Sequence, residues 1–184
     1  MSEVPLENAS DFAGTNDHLE RLWTPHRMAY IDGAARPADD SPGHCPFCVI
    51  PTRSDEDGLI VARGKLAYVV LNLFPYNSGH LMVCPYEHVS RYDQVSAAVV
   101  AEMGYLTQRA MRALAAAMNP AGFNIGMNQG ESGGAGIAAH LHQHVVPRWT
   151  GDANFFPIIA QTKAMPALLS DTRARLVSAW HEVA

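Results

Sequence analysis

The sequence predicts an α+β fold, and three patterns in its 184 residues predict it. Short apolar runs separated by glycine and proline turns indicate an antiparallel sheet of about five strands. A long stretch then carries apolar residues every three or four positions, which is typical of an amphipathic helix. A second helical stretch closes the chain. A doubly wound parallel sheet is disfavoured because each parallel neighbour would need a helical crossover.

The first three strands are predicted at 59–62, 66–71 and 80–84. These runs are rich in β-branched and aromatic residues, which favour strands, and the turns between them are short. Short connections join antiparallel neighbours, so the three runs predict a meander.

The longest predicted element is a helix over 93–118. Val99, Met103 and Leu106 fall on one helical face, and an Asn-Pro pair after residue 118 stops the pattern. The remaining predicted elements follow in chain order: a strand over 123–128, a glycine-rich loop over 129–139, a strand over 140–147 and a closing helix over 164–183.

A single folded domain is predicted. Residues 1–18 are polar and lack periodicity, so they are expected to form a flexible arm. Residues 19–184 are expected to form one domain, since a core of this size can bury most of its apolar surface. Its motif-bearing core covers 45–148, and a C-terminal segment covers 149–184.

Composition excludes several classes of protein. The net charge of −5 gives no basic patch for nucleic acid, and no apolar run approaches the ~20 residues that span a bilayer. The amino terminus lacks secretory-signal features, and three cysteines do not indicate a disulfide framework. We therefore expect a cytoplasmic protein that binds neither nucleic acid nor membrane.

The strongest motif places His140, His142 and His144 at alternate positions. On a strand these side chains would share one face at a repeat of about 7 Å. The intervening side chains would point to the opposite face: Leu141, Gln143 and Val145. A fortuitous surface tract or a weak metal patch is the alternative. The period of two favours a built site for chemistry or metal.

A glycine-rich loop, residues 128–136, precedes the histidines. Such loops let backbone N–H groups approach an anion closely, although a plain turn is the more frequent explanation of glycines alone. Joined to the histidines, the loop predicts an anion site. The absence of the lysine and hydroxyl of a Walker loop excludes ordinary P-loop ATP chemistry.

Residues 140–146 resemble the signature of the histidine triad (HIT) superfamily, in which three histidines alternate with apolar residues; only Gln143 departs from it. Asn72, the segment 75–85 and Asn128 extend the resemblance. Flanking segments are similar to one branch of that family, the bacterial and especially actinobacterial diadenosine tetraphosphate phosphorylases and related hydrolases. These segments cover 22–31, 134–139 and 147–155.

The resemblance implies a covalent mechanism. His142 would attack the α-phosphorus through Nε2 if its Nδ1–H is held by a hydrogen bond. His144 would hydrogen-bond a phosphate oxygen and help the nucleoside polyphosphate leave. Inorganic phosphate as the acceptor would give ADP and ATP. A hydrolase that gives AMP and ATP is the alternative, and a non-catalytic nucleotide-binding protein is the alternative of another class.

The resemblance also implies the residues that bind substrate. Asn72 would bind the ribose, and Trp149 is the best candidate for stacking on the base. Where many relatives have phosphate-contacting side chains this chain has small residues, so backbone amides and Ser132 would take over. The predicted substrate-binding set is Asn72, Asn128, Ser132, Gly133, Gly134, Ala135, Gly136 and Trp149. His80 is expected to make a structural hydrogen bond.

The pair Cys45 and Cys48 is compatible with zinc, redox chemistry or no function. In zinc-bearing relatives the other ligands correspond to His88 and His140, so the resemblance implies a structural Cys₂His₂ zinc site. No organic cofactor is expected, and magnesium is expected only with the substrate. The expected partners are a nucleotide, inorganic phosphate and further copies of the chain in a homodimer or tetramer.

Overall fold

In the computed structural model, the residues described are 41–130, 132–152 and 167–183. All of them belong to one compact unit that covers residues 35–184. The predicted arm, 1–18, and the predicted first residues of the closing helix lie outside the described residues.

The described elements follow one another along the chain. They are α1 (Pro46–Val49), β1 (Ile60–Arg63), β2 (Ala67–Leu71), β3 (Leu81–Pro85), α2 (Ala97–Met118), β4 (Gly122–Gly126), β5 (Gln143–Arg148) and α3 (Leu169–Glu182). Short 3₁₀ turns follow α1 and precede α2, at Ile50–Thr52 and Tyr92–Gln94. None of the described helices is long and apolar enough to cross a membrane.

The five strands form one antiparallel sheet in the order β1-β2-β3-β5-β4. The predicted α+β class, the meander and the five antiparallel strands are therefore confirmed. Strand β5 inserts between β3 and β4, and Met82 of β3 lies opposite His144 of β5. This register brings the histidine segment to the centre of the sheet.

The two faces of the sheet have different partners. One face packs against α2 and α3 in the main core, where Val83, Val145 and Leu176 are fully buried. The opposite face packs against α1 in a smaller cluster that contains Phe47, Tyr68, Met82 and Cys84. The alternation of side chains along β3 and β5 produces this division.

Helix α2 is confirmed but begins four residues later than predicted. Ser96 is its N-cap, and the Ser96 Oγ accepts a hydrogen bond from the Val99 N–H. The residues before it form the 3₁₀ turn. At the other end Asn119 adopts a left-handed conformation (φ 47°), which ends the helix where the sequence predicts.

The predicted strand over 140–147 is wrong at its start, because β5 begins at Gln143. Strand β3 ends at Pro85, which has no N–H to offer, and the Leu141 N–H instead donates to the Val89 carbonyl. The predicted division of faces holds nevertheless. Leu141 and Val145 enter the main core, and the Gln143 Nε2–H donates to the Thr107 hydroxyl on α2 at 2.8 Å. Strand β4 also ends before residue 128, at Gly126.

Candidate active site

His142 is held as a neutral imidazole with one nitrogen pointing outward. Its Nδ1 lies 2.8 Å from the His140 carbonyl oxygen, and a carbonyl can only accept, so the proton is on Nδ1. The Nε2 atom therefore carries a lone pair. Burial lowers the pKa of His142, which keeps the ring uncharged at neutral pH. Phe47 packs against the ring at 4.8 Å between centroids.

A chain of hydrogen bonds gives His144 the opposite tautomer. The Tyr76 N–H donates to His80 Nδ1 at 3.1 Å, so the proton of a neutral His80 is on Nε2. That Nε2–H donates to His144 Nδ1 at 2.9 Å, which leaves the proton of His144 on Nε2. Burial, followed by the neighbouring His142, lowers the pKa of His144 to about 4.

The rings of His142 and His144 lie close to each other, with centroids 5.0 Å apart and planes at 80°. One ring presents a lone pair at Nε2 and the other presents an N–H. Tyr76 stacks on His144 at 5.7 Å and lies tilted against His80 at 4.8 Å. The arrangement combines a nitrogen nucleophile with a hydrogen-bond donor for a leaving oxygen, which suits displacement at phosphorus.

His80 gains a role that sequence reasoning did not assign. It is fully buried, and its expected structural hydrogen bond is made to the third histidine of the motif. Gly79 precedes it with φ +77°, and a Cβ there would lie 2.8 Å from the Met118 sulfur, so only glycine fits. The Gly-His pair in the sequence was the signal for this contact.

The glycine-rich loop is closed by its own hydrogen bonds. Asn128 Nδ2–H donates to the Gly134 carbonyl at 3.5 Å, and the Ala135 N–H donates to the Gly130 carbonyl at 3.2 Å. The Ala135 amide is therefore engaged within the loop, whereas Ser132, Gly133 and Gly134 are exposed and Gly136 is half-buried. The loop leads directly into His140.

The two other predicted substrate residues occupy different places. Asn72 lies beside His80, with Nδ2 3.3 Å from His80 Nδ1, and its Oδ1 accepts from the Phe74 N–H at 2.9 Å. Trp149 is half-buried, and its indole N–H donates to the Met118 carbonyl at the end of α2. Its indole N–H thus points to the helix side of the sheet, and base stacking by Trp149 stays a prediction.

Four predicted metal ligands come together. One ligand atom from each of Cys45, Cys48, His88 and His140 lies within 4.8 Å of the others. His140 Nε2–H donates to the Pro85 carbonyl at 3.0 Å, so its Nδ1 lone pair faces both cysteine sulfurs at 3.4 Å. Such an orienting hydrogen bond is typical of a metal-bound histidine. These four residues could bind a metal ion.

The thiols fit a cation on electrostatic grounds. Neither Cys45 nor Cys48 is in a disulfide. Burial, followed by the neighbouring Cys45, raises the pKa of Cys48 to about 11. A bound dication would reverse this effect and hold both sulfurs as thiolates, the form that ligates metals. The donor set, two sulfurs and two imidazoles, is the one found in tetrahedral zinc sites.

Fold and site together define a histidine triad protein. The HIT domain model matches residues 53–151, and the chain belongs to this family. The chain is 52% identical over 171 residues to the AP-4-A phosphorylase of Mycobacterium tuberculosis. The matched region covers 91% of this chain and 87% of the relative.

Solved structures share the fold. A Zn-bound histidine triad family protein from Mycobacterium smegmatis has a TM-score of 0.62 and 22% identity, covering 77% of this chain and 96% of that one. A hypothetical histidine triad nucleotide-binding protein from Sulfolobus tokodaii also has a TM-score of 0.62, with 21% identity, covering 75% and 93%.

Proposed function

We propose that this chain is a dinucleoside polyphosphate phosphorylase that converts diadenosine tetraphosphate and inorganic phosphate to ADP and ATP. The identity with the M. tuberculosis AP-4-A phosphorylase supports this substrate. The observation that carries the chemistry is the pair of opposite tautomers, a lone pair at His142 Nε2 and a proton at His144 Nε2.

In the first step His142 Nε2 attacks the α-phosphorus of one adenosine half. An N–P bond forms, the bond to the bridging oxygen breaks, and ATP leaves as an anion whose departing oxygen accepts a hydrogen bond from His144 Nε2–H. Backbone amides of the exposed part of the loop, at Gly133 and Gly134, with Ser132, would stabilise the charge on the phosphoryl oxygens. The His140 carbonyl stabilises the charge that develops on the His142 ring.

In the second step the acceptor attacks the same phosphorus from the side opposite His142, where ATP was bound. Inorganic phosphate breaks the N–P bond and gives ADP, and His142 returns to its neutral form. Water as acceptor would give AMP by the same route, so a hydrolase is the nearest alternative. The two reactions differ only in the acceptor.

One incubation distinguishes these functions. Diadenosine tetraphosphate is mixed with the protein with and without inorganic phosphate, and the nucleotides are separated. ADP and ATP that appear only with phosphate are the expected products. AMP and ATP in both tubes would favour the hydrolase. If neither the wild type nor His142→Ala turns over the substrate, a non-catalytic nucleotide-binding protein is favoured.

We propose that the four-residue cluster holds a structural zinc ion. Cys45, Cys48, His88 and His140 would be the ligands, and the ion would join α1 to the segment that leads to His142. Zinc supplies no step of the reaction in this proposal. Metal analysis of protein purified without chelator is expected to give one zinc per chain.

We also propose a homodimer in the cytoplasm. Strand β4 pairs only with β5 among the described strands, and Ile125 on it is 46% exposed. An open strand edge with an exposed apolar residue is suited to pairing with a second copy. Light scattering on a sizing column is expected to give twice the mass of the chain, and the mass of one chain would contradict the dimer.

A further inference from the structure

On the side of the histidine rings the sheet continues beyond His144, and its exposed part lies along β4 and at Arg148, because Val146 between His144 and Arg148 is only 7% exposed. Residues directly opposite each other on neighbouring strands point to one face, and Gly126, Asn124 and Gly122 of β4 are paired with His144, Val146 and Arg148. We call the surface formed by four of these residues the β4–β5 strip: Gly122, Asn124, Gly126 and Arg148. No described residue comes within 4 Å of a Cβ built at Gly122 or Gly126.

Arg148 lies at the far end of this strip, where hydrogen bonds hold its guanidinium. Its Nε–H and Nη2–H donate to the two carboxylate oxygens of Asp152 at 2.6 and 2.8 Å, and its Nη1–H donates to Asn124 Oδ1 at 2.7 Å. Asp152 is itself fixed by the Asn77 amide at 2.7 Å. The guanidinium plane is thereby oriented, while 45% of the side chain stays exposed.

The contacts of Arg148 favour a flat ring as its ligand over a phosphate. The charge of Arg148 is already balanced by Asp152, and three of its five N–H groups donate to Asp152 and Asn124. The side chain is nevertheless 45% exposed, and guanidinium faces stack on aromatic rings. A purine base fits this surface, because stacking requires a face and no further hydrogen-bond donors.

The distance along the strand also suits a nucleotide. Arg148 is four residues beyond His144, which corresponds to about 13 Å at ~3.3 Å per residue. The leaving nucleotide begins at His144, where the bridging oxygen accepts a hydrogen bond. Its triphosphate and ribose would span the strip beside Gly126 and Asn124, where the glycine offers no side chain in the path.

We propose that the β4–β5 strip binds the leaving nucleotide of a dinucleoside polyphosphate and that the Arg148 guanidinium stacks on its base. This inference rests on the proposed function, because it assigns the second half of the same substrate. It makes Arg148 a specificity-determining residue that distinguishes dinucleoside from mononucleoside polyphosphates.

The test compares the binding of two ligands that differ only in the second nucleoside. Diadenosine tetraphosphate and adenosine tetraphosphate are titrated by calorimetry into metal-loaded His142→Ala protein, which leaves both intact. Diadenosine tetraphosphate is expected to bind more tightly. Arg148→Lys keeps the charge opposite Asp152 but removes the planar guanidinium. The factor by which diadenosine tetraphosphate binds more tightly than adenosine tetraphosphate is therefore expected to decrease by about threefold to fivefold.

Two glycine variants provide a positional control. Gly122→Leu places a side chain beside Arg148 and is expected to weaken only diadenosine tetraphosphate. Gly126→Leu places one beside His144 and is expected to weaken both ligands. The inference is overturned if Arg148→Lys and Gly122→Leu leave the ratio at its starting value or weaken both ligands equally. If the two variants change the ratio of Kd values as expected but the wild type does not turn over diadenosine tetraphosphate, the proposed reaction is contradicted and the subsite is supported.

Discussion

Replacement of His80 tests how the site sets the tautomer of His144. In His80→Leu the 2.9 Å hydrogen bond to His144 Nδ1 is lost, and the proton of His144 is free to move to that nitrogen. A ring protonated on Nδ1 presents a lone pair at Nε2 and cannot donate a hydrogen bond to the leaving oxygen. His80 touches no reacting atom, so it acts as a positioning residue.

The size of the effect follows from the buried hydrogen bond. Loss of one bond between buried groups costs about 1–3 kcal/mol, and every 1.4 kcal/mol is about tenfold in rate. Loss of a hydrogen bond that orients a metal-bound histidine costs about 10–100-fold, and the bond to His144 has the same orienting role. We therefore expect the single-turnover rate of ATP release from diadenosine tetraphosphate to fall by about 10–100-fold.

The assay uses two leaving groups of different basicity. ATP release depends on the hydrogen bond from His144, whereas an adenosine 5′-(2,4-dinitrophenyl phosphate) ester releases a phenolate that is much less basic than the terminal phosphate of ATP and needs little such stabilisation. His80→Leu is expected to retain most of its rate with the ester. His80→Gln, whose amide can donate to His144 and accept from Tyr76, is the matched control and is expected to recover part of the lost rate.

Two results would refute this reasoning. An equal decrease in rate with both substrates would mean that His80 acts on the whole site and not on the hydrogen bond that His144 donates to the leaving group. An unchanged rate of ATP release in a folded His80→Leu protein would mean that the tautomer of His144 does not depend on His80. Near-ultraviolet circular dichroism of the variant checks that the site region is folded.

The remaining predictions concern the metal site, the core, pH and the loop. Cys48→Ser is expected to lose zinc and to lower the melting temperature by roughly 5–10 °C, and a chelator that leaves wild type unchanged in calorimetry would contradict this. Leu141→Ala, at a residue 1% exposed, is expected to lower the free energy of unfolding in urea by about 2–5 kcal/mol. Because folding lowers the pKa of His144 from 6.5 to about 4, the unfolded chain binds more protons than the folded chain between these two pH values. The free energy of unfolding is therefore expected to decrease by ~1.4 kcal/mol for each unit by which the pH is lowered in this range, and to decrease less in His144→Asn. Ser132→Ala is expected to raise the KM for inorganic phosphate several-fold, and an unchanged KM would remove Ser132 from the phosphate site.

Much of the fold could be predicted because it depends on local patterns. The period of apolar residues predicted α2, and short turns predicted the meander. The strand of the motif was assigned too early because alternation continues through residue 140, whereas the ladder partner ends at Pro85. Pairing with another strand is a non-local property, and the pattern of one segment does not report it.

The candidate site shows the same division. The four candidate metal ligands and the catalytic histidines could be named before the structure, because the resemblance to the histidine triad family assigned those positions. His80 was assigned only a structural hydrogen bond, because His80 and His144 are 64 residues apart and meet only through the register of β3 with β5. The engagement of the Ala135 amide within its loop was likewise not apparent from the glycine content.

The sequence by itself determined the chemistry available to this protein, namely three alternating histidines, a glycine-rich loop and four side chains that could bind a metal ion. The tertiary structure decided what each group can do. Which nitrogen of His142 or His144 carries the proton depends on the donors and acceptors that reach it, and the guanidinium of Arg148 is held in place by Asp152 and Asn124. Hydrogen bonds act over about 3 Å, so their partners are fixed only when distant segments pack together.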